Sequence, residues 1–334
     1  MPQTEARPLA LITRRIPEQA LERIQAACET RLWDSDDPIP RATLLEWIQG
    51  VDGLYCLLTE RVDDELLDAA GPSLKVVSTM SVGYDHIDVA ACTARGIPVG
   101  NTPGVLTETT ADLAVALLLA TARRLPEAVE AVKAGEWTTW KPMWLTGRDV
   151  HHSTVGIVGL GRIGAATARR LRGFGCRILY TSRHPKPELA APLEATFVDL
   201  PTLLAESDFV SVHVPLTPET HHLFDQAAFR RMKPSAIFIN TSRGGVVDQE
   251  ALYQALVQGT IAAAGLDVTD PEPLPPDHPL LGLPNCVVLP HIGSASIATR
   301  LKMALMAADN LLAGVEQRPL PHCVNPEVNY SGAE

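Results

Sequence analysis

The chain of 334 residues lacks any cysteine pair at metal or redox spacing; Cys28, Cys56, Cys92, Cys176, Cys286 and Cys323 stand singly, mostly inside apolar runs. Buried, reduced thiols in a reducing compartment, here the cytoplasm, are expected rather than a disulfide frame or a zinc site. Basic charge is also short: 28 Lys and Arg face 39 Asp and Glu, a net charge of −11. Such an acidic surface repels phosphate backbones and anionic lipid, so no nucleic-acid or membrane partner is expected, and any anion must be gripped by local donors. The longest apolar run, around Leu113 to Thr121, is far short of the roughly 20 residues that span a bilayer. The start, MPQTEARPLALITRR, has an early acid and neither a basic leader nor an apolar core of signal-peptide length, so no secretion signal is expected. No G-x-S-x-G elbow occurs, and the pairs His151-His152 and His221-His222 lack ligand spacing and read as surface. A hydrolase or a metal site is disfavoured.

What is present is a globular composition, 46% hydrophobic and 20% charged, in a chain long enough for two domains. Short apolar runs alternate with helical patterns, the rhythm of parallel α/β architecture. In the first third the runs are Leu9 to Thr13, Gly53 to Leu58, Leu74 to Met80 and Ile97 to Asn101, with helices such as Glu18 to Cys28 and Asp63 to Ala70 between them. A second, larger series begins at Thr154 and continues through Arg177 to Thr181, Phe209 to Val214, Ala236 to Asn240, Ala263 to Val268 and Cys286 to Leu289. Between the two series, Thr107 to Arg124 predicts a helix apolar on most sides and buried between domains. A matching helix, Ser296 to Ala313, is expected to be closed by Gly314 and to return the chain to the first domain. Pro271 to Pro284 reads as a stiff loop, and the last dozen residues as surface tail.

The stretch Thr154-Val-Gly-Ile-Val-Gly159-Leu-Gly161-Arg162-Ile163-Gly164 runs a strand into G-x-G-x-x-G ahead of a helix. Alone that motif is weak; strand before, helix after and a further strand about twenty residues on make it a dinucleotide site. Gly159 permits the tight turn, Gly161 the approach of a pyrophosphate to the helix N-terminus, and Gly164 the packing of helix on strand. An acid ending the next strand would bind the 2′-hydroxyl of NAD. The chain has Tyr180-Thr-Ser182-Arg183-His184-Pro-Lys186 instead, donors suited to a 2′-phosphate. NADPH is expected, with NADH possible but weaker.

Three polar residues stand at the ends of late strands, where open α/β sheets bind ligands. Arg243 lies in Thr241-Ser242-Arg243-Gly244-Gly245, and its planar fork suits the carboxylate and carbonyl of an α-keto acid. Reduction of a ketone by hydride leaves an alkoxide that needs a proton, and His291, followed by Ile-Gly293-Ser294, is the residue type that donates near neutrality. A lone histidine is more often structural, so its partner matters. Glu272, held in Asp-Pro-Glu272-Pro, supplies a carboxylate, which favours a charged imidazole.

Together these segments resemble the D-isomer-specific 2-hydroxyacid dehydrogenase family over nearly the whole chain. The resemblance is carried in order by Gly159-Leu-Gly-Arg-Ile-Gly164, Asn240-Thr-Ser-Arg-Gly-Gly245, Gly265-Leu-Asp267-Val with Pro-Glu272-Pro, and Leu289-Pro-His291-Ile-Gly-Ser294. Trp33-Asp-Ser-Asp, Thr79-Met-Ser-Val-Gly83, Trp137-Thr-Thr-Trp140-Lys-Pro-Met-Trp144 and Ala262-Ala-Ala-Gly-Leu-Asp-Val-Thr make it similar to a branch that reduces glyoxylate to glycolate and hydroxypyruvate to D-glycerate. The resemblance implies two doubly wound parallel-sheet domains of class α/β: a Rossmann coenzyme domain, 105–297, inserted in a flavodoxin-like substrate domain, 1–104 and 298–334. It implies that Val82 and Gly83 offer amides to the substrate carboxylate with Ser294 nearby, that Asp267 holds the nicotinamide side, and that Pro215, Thr241 and Gly293 line the nucleotide. It further implies a homodimer in which Trp140 reaches the neighbouring site; the residues alone show only an aromatic-rich loop. Ser182 departs from the glycine expected between Thr181 and Arg183. Two alternatives stay open: an NAD-linked D-lactate or phosphoglycerate dehydrogenase, and a nucleotide-sensing corepressor on the same scaffold.

Overall fold

The computed structural model of the chain describes residues 7–328. The first residues of the stretch tested for a leader, and the last six of the tail, lie outside them. Two compact units form: one from the chain up to Leu106 and from Ala295 onward, the other from Thr107–Ser294. Chain continuity alone makes the first unit discontinuous.

The first unit is a five-stranded parallel sheet of β1 (Leu9–Ile12), β2 (Glu29–Leu32), β3 (Gly53–Cys56), β4 (Val76–Thr79) and β5 (Val99–Gly100), ordered β2-β1-β3-β4-β5. That is the flavodoxin-like order, and β3, β4 and β5 are buried throughout, as uninterrupted apolar runs require. Strand β2, Glu-Thr-Arg-Leu, is invisible to apolar patterning because it is a half-exposed edge whose extended form comes from pairing with β1.

Helix Ile297–Val315, N-capped by Ser296 Oγ, which accepts from Thr299 N at 3.2 Å, packs on this sheet. Gly314 does not close it. It lies inside the last turn, where a Cβ would come 2.4 Å from Val76 Cβ, so glycine serves close helix-to-sheet packing rather than a left-handed cap. The tail also departs from expectation. Asn325, 1% exposed, accepts from Val99 N at 2.7 Å and donates to Thr93 Oγ1 at 2.9 Å and Ile97 O at 3.1 Å, pinning the segment to β5.

The second unit is a seven-stranded parallel sheet of β6 (Thr154–Val158), β7 (Arg177–Thr181), β8 (Thr196–Phe197), β9 (Phe209–Val212), β10 (Ile237–Asn240), β11 (Ala263–Leu266) and β12 (Cys286–Val288). Their order, β12-β11-β10-β9-β6-β7-β8, is the Rossmann order with one added strand, and the direction of winding reverses between β6 and β9. Only β8, a two-residue exposed edge, was unread from sequence. Phe224, Phe229 and Phe238 pack with centroids 4.8 to 6.3 Å apart under one face, each contributing about 1.5–3 kcal/mol by burial. Helix Thr107–Ala122, apolar nearly all round, packs on β10, β11 and helix Arg162–Arg172 within this unit. Arg170 Nε to Asp112 at 2.7 Å and Arg169 to Glu108 at 2.7 Å staple those two helices. Among the described residues no helix is long and apolar enough to cross a membrane, and all six cysteines are unpaired.

Candidate active site

The second-unit residues assigned to the nucleotide and the keto acid, Trp140 apart, lie at or beyond the carboxyl ends of its strands. Strand β6 runs directly into Gly159, whose φ of +97° only glycine adopts without strain; a Cβ there would also meet His213 O at 2.7 Å. Gly161 caps helix Arg162–Arg172 with extended backbone and no side-chain bond, and the space beside its Cα is open. Gly164 has none: a Cβ would fall 2.2 Å from Gly159 O, so the helix start sits against the turn. Free helix-end amides above an open glycine are the arrangement a pyrophosphate requires.

A second feature fits the same ligand. Thr241 is 9% exposed, and its Oγ1 is a buried polar atom with no hydrogen-bond partner among the described residues. A buried hydroxyl left unpaired costs about 1–3 kcal/mol, a cost a ligand group would remove. At the end of β7, Arg183, His184 and Lys186 are exposed and Ser182 half-buried. Ser182 Oγ donates to His184 O at 2.6 Å, shaping the turn and retaining acceptor capacity. Pro215 and Arg162 are exposed beside the turn and Ile163 half-buried.

Register makes neighbours of the segments that carry Arg243, Glu272 and His291. Asn240 pairs with Leu266 and Leu266 with Val288, so the segments after β10, β11 and β12 are neighbours. Buried Asn240 braces the first segment: its Oδ1 accepts from Ser242 N at 3.0 Å and Ser242 Oγ at 2.8 Å, and its Nδ2 donates to Arg243 O at 2.9 Å. Arg243 is half-buried, with Nη1 donating to Ser242 O at 2.9 Å. Gly244 allows this segment to touch the proline loop, since a Cβ would lie 2.0 Å from Thr269 O.

His291 Nδ1 pairs with Glu272 Oε1, and the other carboxylate oxygen accepts from Thr269 N at 3.4 Å. The pair leaves His291 Nε2 as the nitrogen free of the carboxylate, on side chains 25% and 33% exposed. His291 itself has φ +52°, a left-handed conformation uncommon outside glycine. The group that anchors the residues after it is Asp267. Its carboxylate, 1% exposed, accepts from Ile292 N and Gly293 N, each at 2.8 Å. Burial pushes the Asp267 carboxyl above the ordinary range, while these amides and His291 draw it down. A Cβ on Gly293 would lie 3.0 Å from Asp267 Oδ2, a close approach that glycine accommodates, and Ser294 is buried next in line.

Three contributors escaped the sequence. Asn240 carried no chemical signal beyond its place at a strand end. Gln249 accepts from Asp270 N at 3.0 Å and donates to Asp270 O, fixing the proline loop from 21 residues away. His213 packs its carbonyl under Gly159 and bonds Ser211 Oγ at 2.9 Å; burial pushes its imidazole down to about 4, so it stays neutral. In the first unit, Val82 and Gly83 lie in the turn after β4. Trp140, 80% exposed, lies with Trp137 and Met143 in an irregular segment, and Lys141 Nζ sits 4.7 Å over Trp144.

The family profile of the D-isomer specific 2-hydroxyacid dehydrogenase NAD binding domain matches residues 115–293. A glyoxylate reductase/hydroxypyruvate reductase of Homo sapiens is 59% identical over 314 residues, 93% of this chain and 95% of its own length. A glyoxylate reductase of Korarchaeum cryptofilum is 51% identical over 323 residues, 96% of this chain and 97% of its own. The crystal structure of an NADPH-dependent glyoxylate/hydroxypyruvate reductase from Sinorhizobium meliloti, in complex with NADP and malonate, superposes with a TM-score of 0.86 at 37% identity, covering 98% of this chain and 100% of that one.

Proposed function

The chain belongs to the D-isomer specific 2-hydroxyacid dehydrogenase family, and from that membership we propose that it is an NADPH-dependent reductase of glyoxylate and hydroxypyruvate. The observation that carries the chemistry is the His291–Glu272 pair, set at the end of β12 by the Asp267 clamp. NADPH, when bound, supplies the hydride. Gly159, Gly161, Arg162, Ile163 and Gly164 hold its pyrophosphate, Thr241 and Pro215 line it, and Ser182, Arg183, His184 and Lys186 receive the 2′-phosphate.

The chain's own residues do the rest. Arg243 orients the keto acid by its carboxylate and carbonyl, a bidentate grip that also favours negative charge building on the oxygen. Val82 and Gly83 amides and Ser294 are its further donors. His291 gives the proton from Nε2 to the oxygen while Glu272, on Nδ1, holds the ring's orientation and balances the imidazolium charge. Asp267 acts through His291, besides bordering the nicotinamide.

We read the active form as a homodimer. Leu125, Val129 and Val132 on helix Leu125–Lys133, 51% to 54% exposed, join Trp137, Trp140 and Met143 as apolar side chains the second unit leaves uncovered. On this reading Trp140 reaches the partner's substrate.

A steady-state comparison of hydroxypyruvate, glyoxylate and pyruvate with NADPH and NADH tests the assignment. The first two with NADPH should give the highest kcat/KM. Folded dimer that oxidises no NADPH with either would favour a sensor. His291→Ala should lower kcat about 10²–10⁴-fold with NADPH binding retained; full activity would remove its role as acid.

A further inference from the structure

The turn from Ser81 to Tyr84 is tied through its carbonyls alone. Ser81 O accepts from Thr102 N at 2.9 Å, Val82 O from Asn101 Nδ2 at 2.8 Å, and Gly83 O from Ser81 Oγ at 2.6 Å. In a trans peptide the carbonyl and N–H point in opposite directions, so each tie turns the next amide away from its anchor. The amides so turned are those of Val82, Gly83 and Tyr84, and none of them donates a hydrogen bond among the described residues. A row of consecutive unpaired amides is a receptor for an anion.

Two of the three ties come from the adjacent pair Asn101 and Thr102, just beyond β5. The orientation of the Asn101 amide is set by chemistry, because Val82 O can only accept and so must face Nδ2. Ser81 has one hydroxyl proton, given to Gly83 O; its 2.8 Å contact with Thr79 Oγ1 is therefore donated by Thr79. Asn101 is itself held by its backbone: its O accepts from Asn310 Nδ2 at 2.9 Å, and its N donates to His322 O at 3.2 Å. The side chain is thus free of any duty in that anchoring, and its bond to Val82 O orients the turn.

We propose that Asn101, seconded by Ser81, is a positioning residue for the substrate carboxylate, aiming the Val82 and Gly83 amides at it. This role rests on the assignment of those amides as carboxylate donors. A carboxylate held alike in ground and transition states contributes to KM rather than kcat.

The test uses the full-length dimer with malonate as the carboxylate probe. Asn101→Ala should raise KM for glyoxylate and Ki for malonate together, each by about tenfold, with kcat, NADPH affinity and Tm close to wild type. Asn101→Asp, which keeps the size and loses the donor, should do at least as much. Ser81→Ala should show a smaller rise of the same kind. A fall in Tm and kcat without a selective rise in Ki would mark Asn101 as merely structural and overturn the inference. So would values within about twofold of wild type in both Asn101 variants. Hydrogen exchange of residues 80–86 in wild type, with and without malonate, separates the two assignments. Protection there with no effect of the variants sinks only the positioning role; no protection sinks the carboxylate seat itself.

Discussion

Replacing Asp267 by Asn perturbs the reacting cluster while preserving its shape. The carboxylate accepts two buried amides at 2.8 Å, from Ile292 and Gly293. Asparagine keeps one acceptor oxygen and turns an NH2 group toward the other amide. One charge-assisted bond of about 1.5–3 kcal/mol disappears, and the N–H left unpaired costs about 1–3 kcal/mol more. Relief of a buried charge offsets part of this, since burial already holds the Asp267 carboxyl above its usual range. A net weakening of roughly 2 kcal/mol in the grip on residues 291–293 remains. His291, with φ +52°, then relaxes out of a conformation that costs a non-glycine residue about 1–2 kcal/mol, and its ring leaves the line to Glu272. A change of about 2 kcal/mol shifts the ratio of aligned to relaxed histidine about thirty-fold and lowers kcat by up to that factor. Single-turnover decay of NADPH absorbance measures it, with NADPH affinity titrated in parallel by fluorescence. If folded Asp267→Asn keeps kcat within about twofold of wild type, the clamp does not hold the histidine.

Arg183→Ala should lower the ratio of kcat/KM for NADPH to that for NADH by about 10- to 100-fold, the worth of a charge-assisted phosphate contact; an unchanged ratio would move 2′-phosphate recognition elsewhere. Asp208 contributes to acid stability. Burial opposes its ionisation, but Lys233 Nζ at 2.7 Å and Thr154 N at 2.9 Å prevail and hold its carboxyl below the usual range. A depressed folded value means the stabilisation is present above the unfolded value of about 3.9 and is lost as pH falls through the folded one. Asp208→Asn should therefore lose about 1 kcal/mol near pH 7, after discounting for solvent screening, and progressively less on acidification, as read by urea unfolding. An equal loss at all pH values would assign the effect to packing. In the proposed homodimer, Trp140→Ala should leave the assembly intact in sedimentation and lower kcat/KM about tenfold; unchanged kinetics would end the role proposed for it at the partner's site.

Edge elements and braces separate what patterning could see from what it could not. Strands β3, β4, β9 and β10 were legible because both their faces are buried, which leaves near-continuous apolar runs. β2 and β8 were not, because an exposed edge needs no apolar side chains and is extended only by its partner. Gly314 looked like a helix stop because glycine commonly is one; Val76, 238 positions away in sequence, gives it a different purpose.

For the site, the amino-acid order by itself supplied the elements of the proposed chemistry. Strand-glycine-helix spelled a dinucleotide turn, and Arg243, Glu272 and His291 at late strand ends carry the proposal of a keto acid and a proton, because these are local consequences of residue type and strand polarity. Only the tertiary structure decided how that chemistry is held. Asp267 clamping residues 292 and 293, Gln249 bracing Asp270, Asn240 propping Arg243 and Asn101 turning Val82 rest on one to three hydrogen bonds each, between segments remote in the chain or ordinary in composition. Their residue types are common, and only the strand register that juxtaposes them gives them a function.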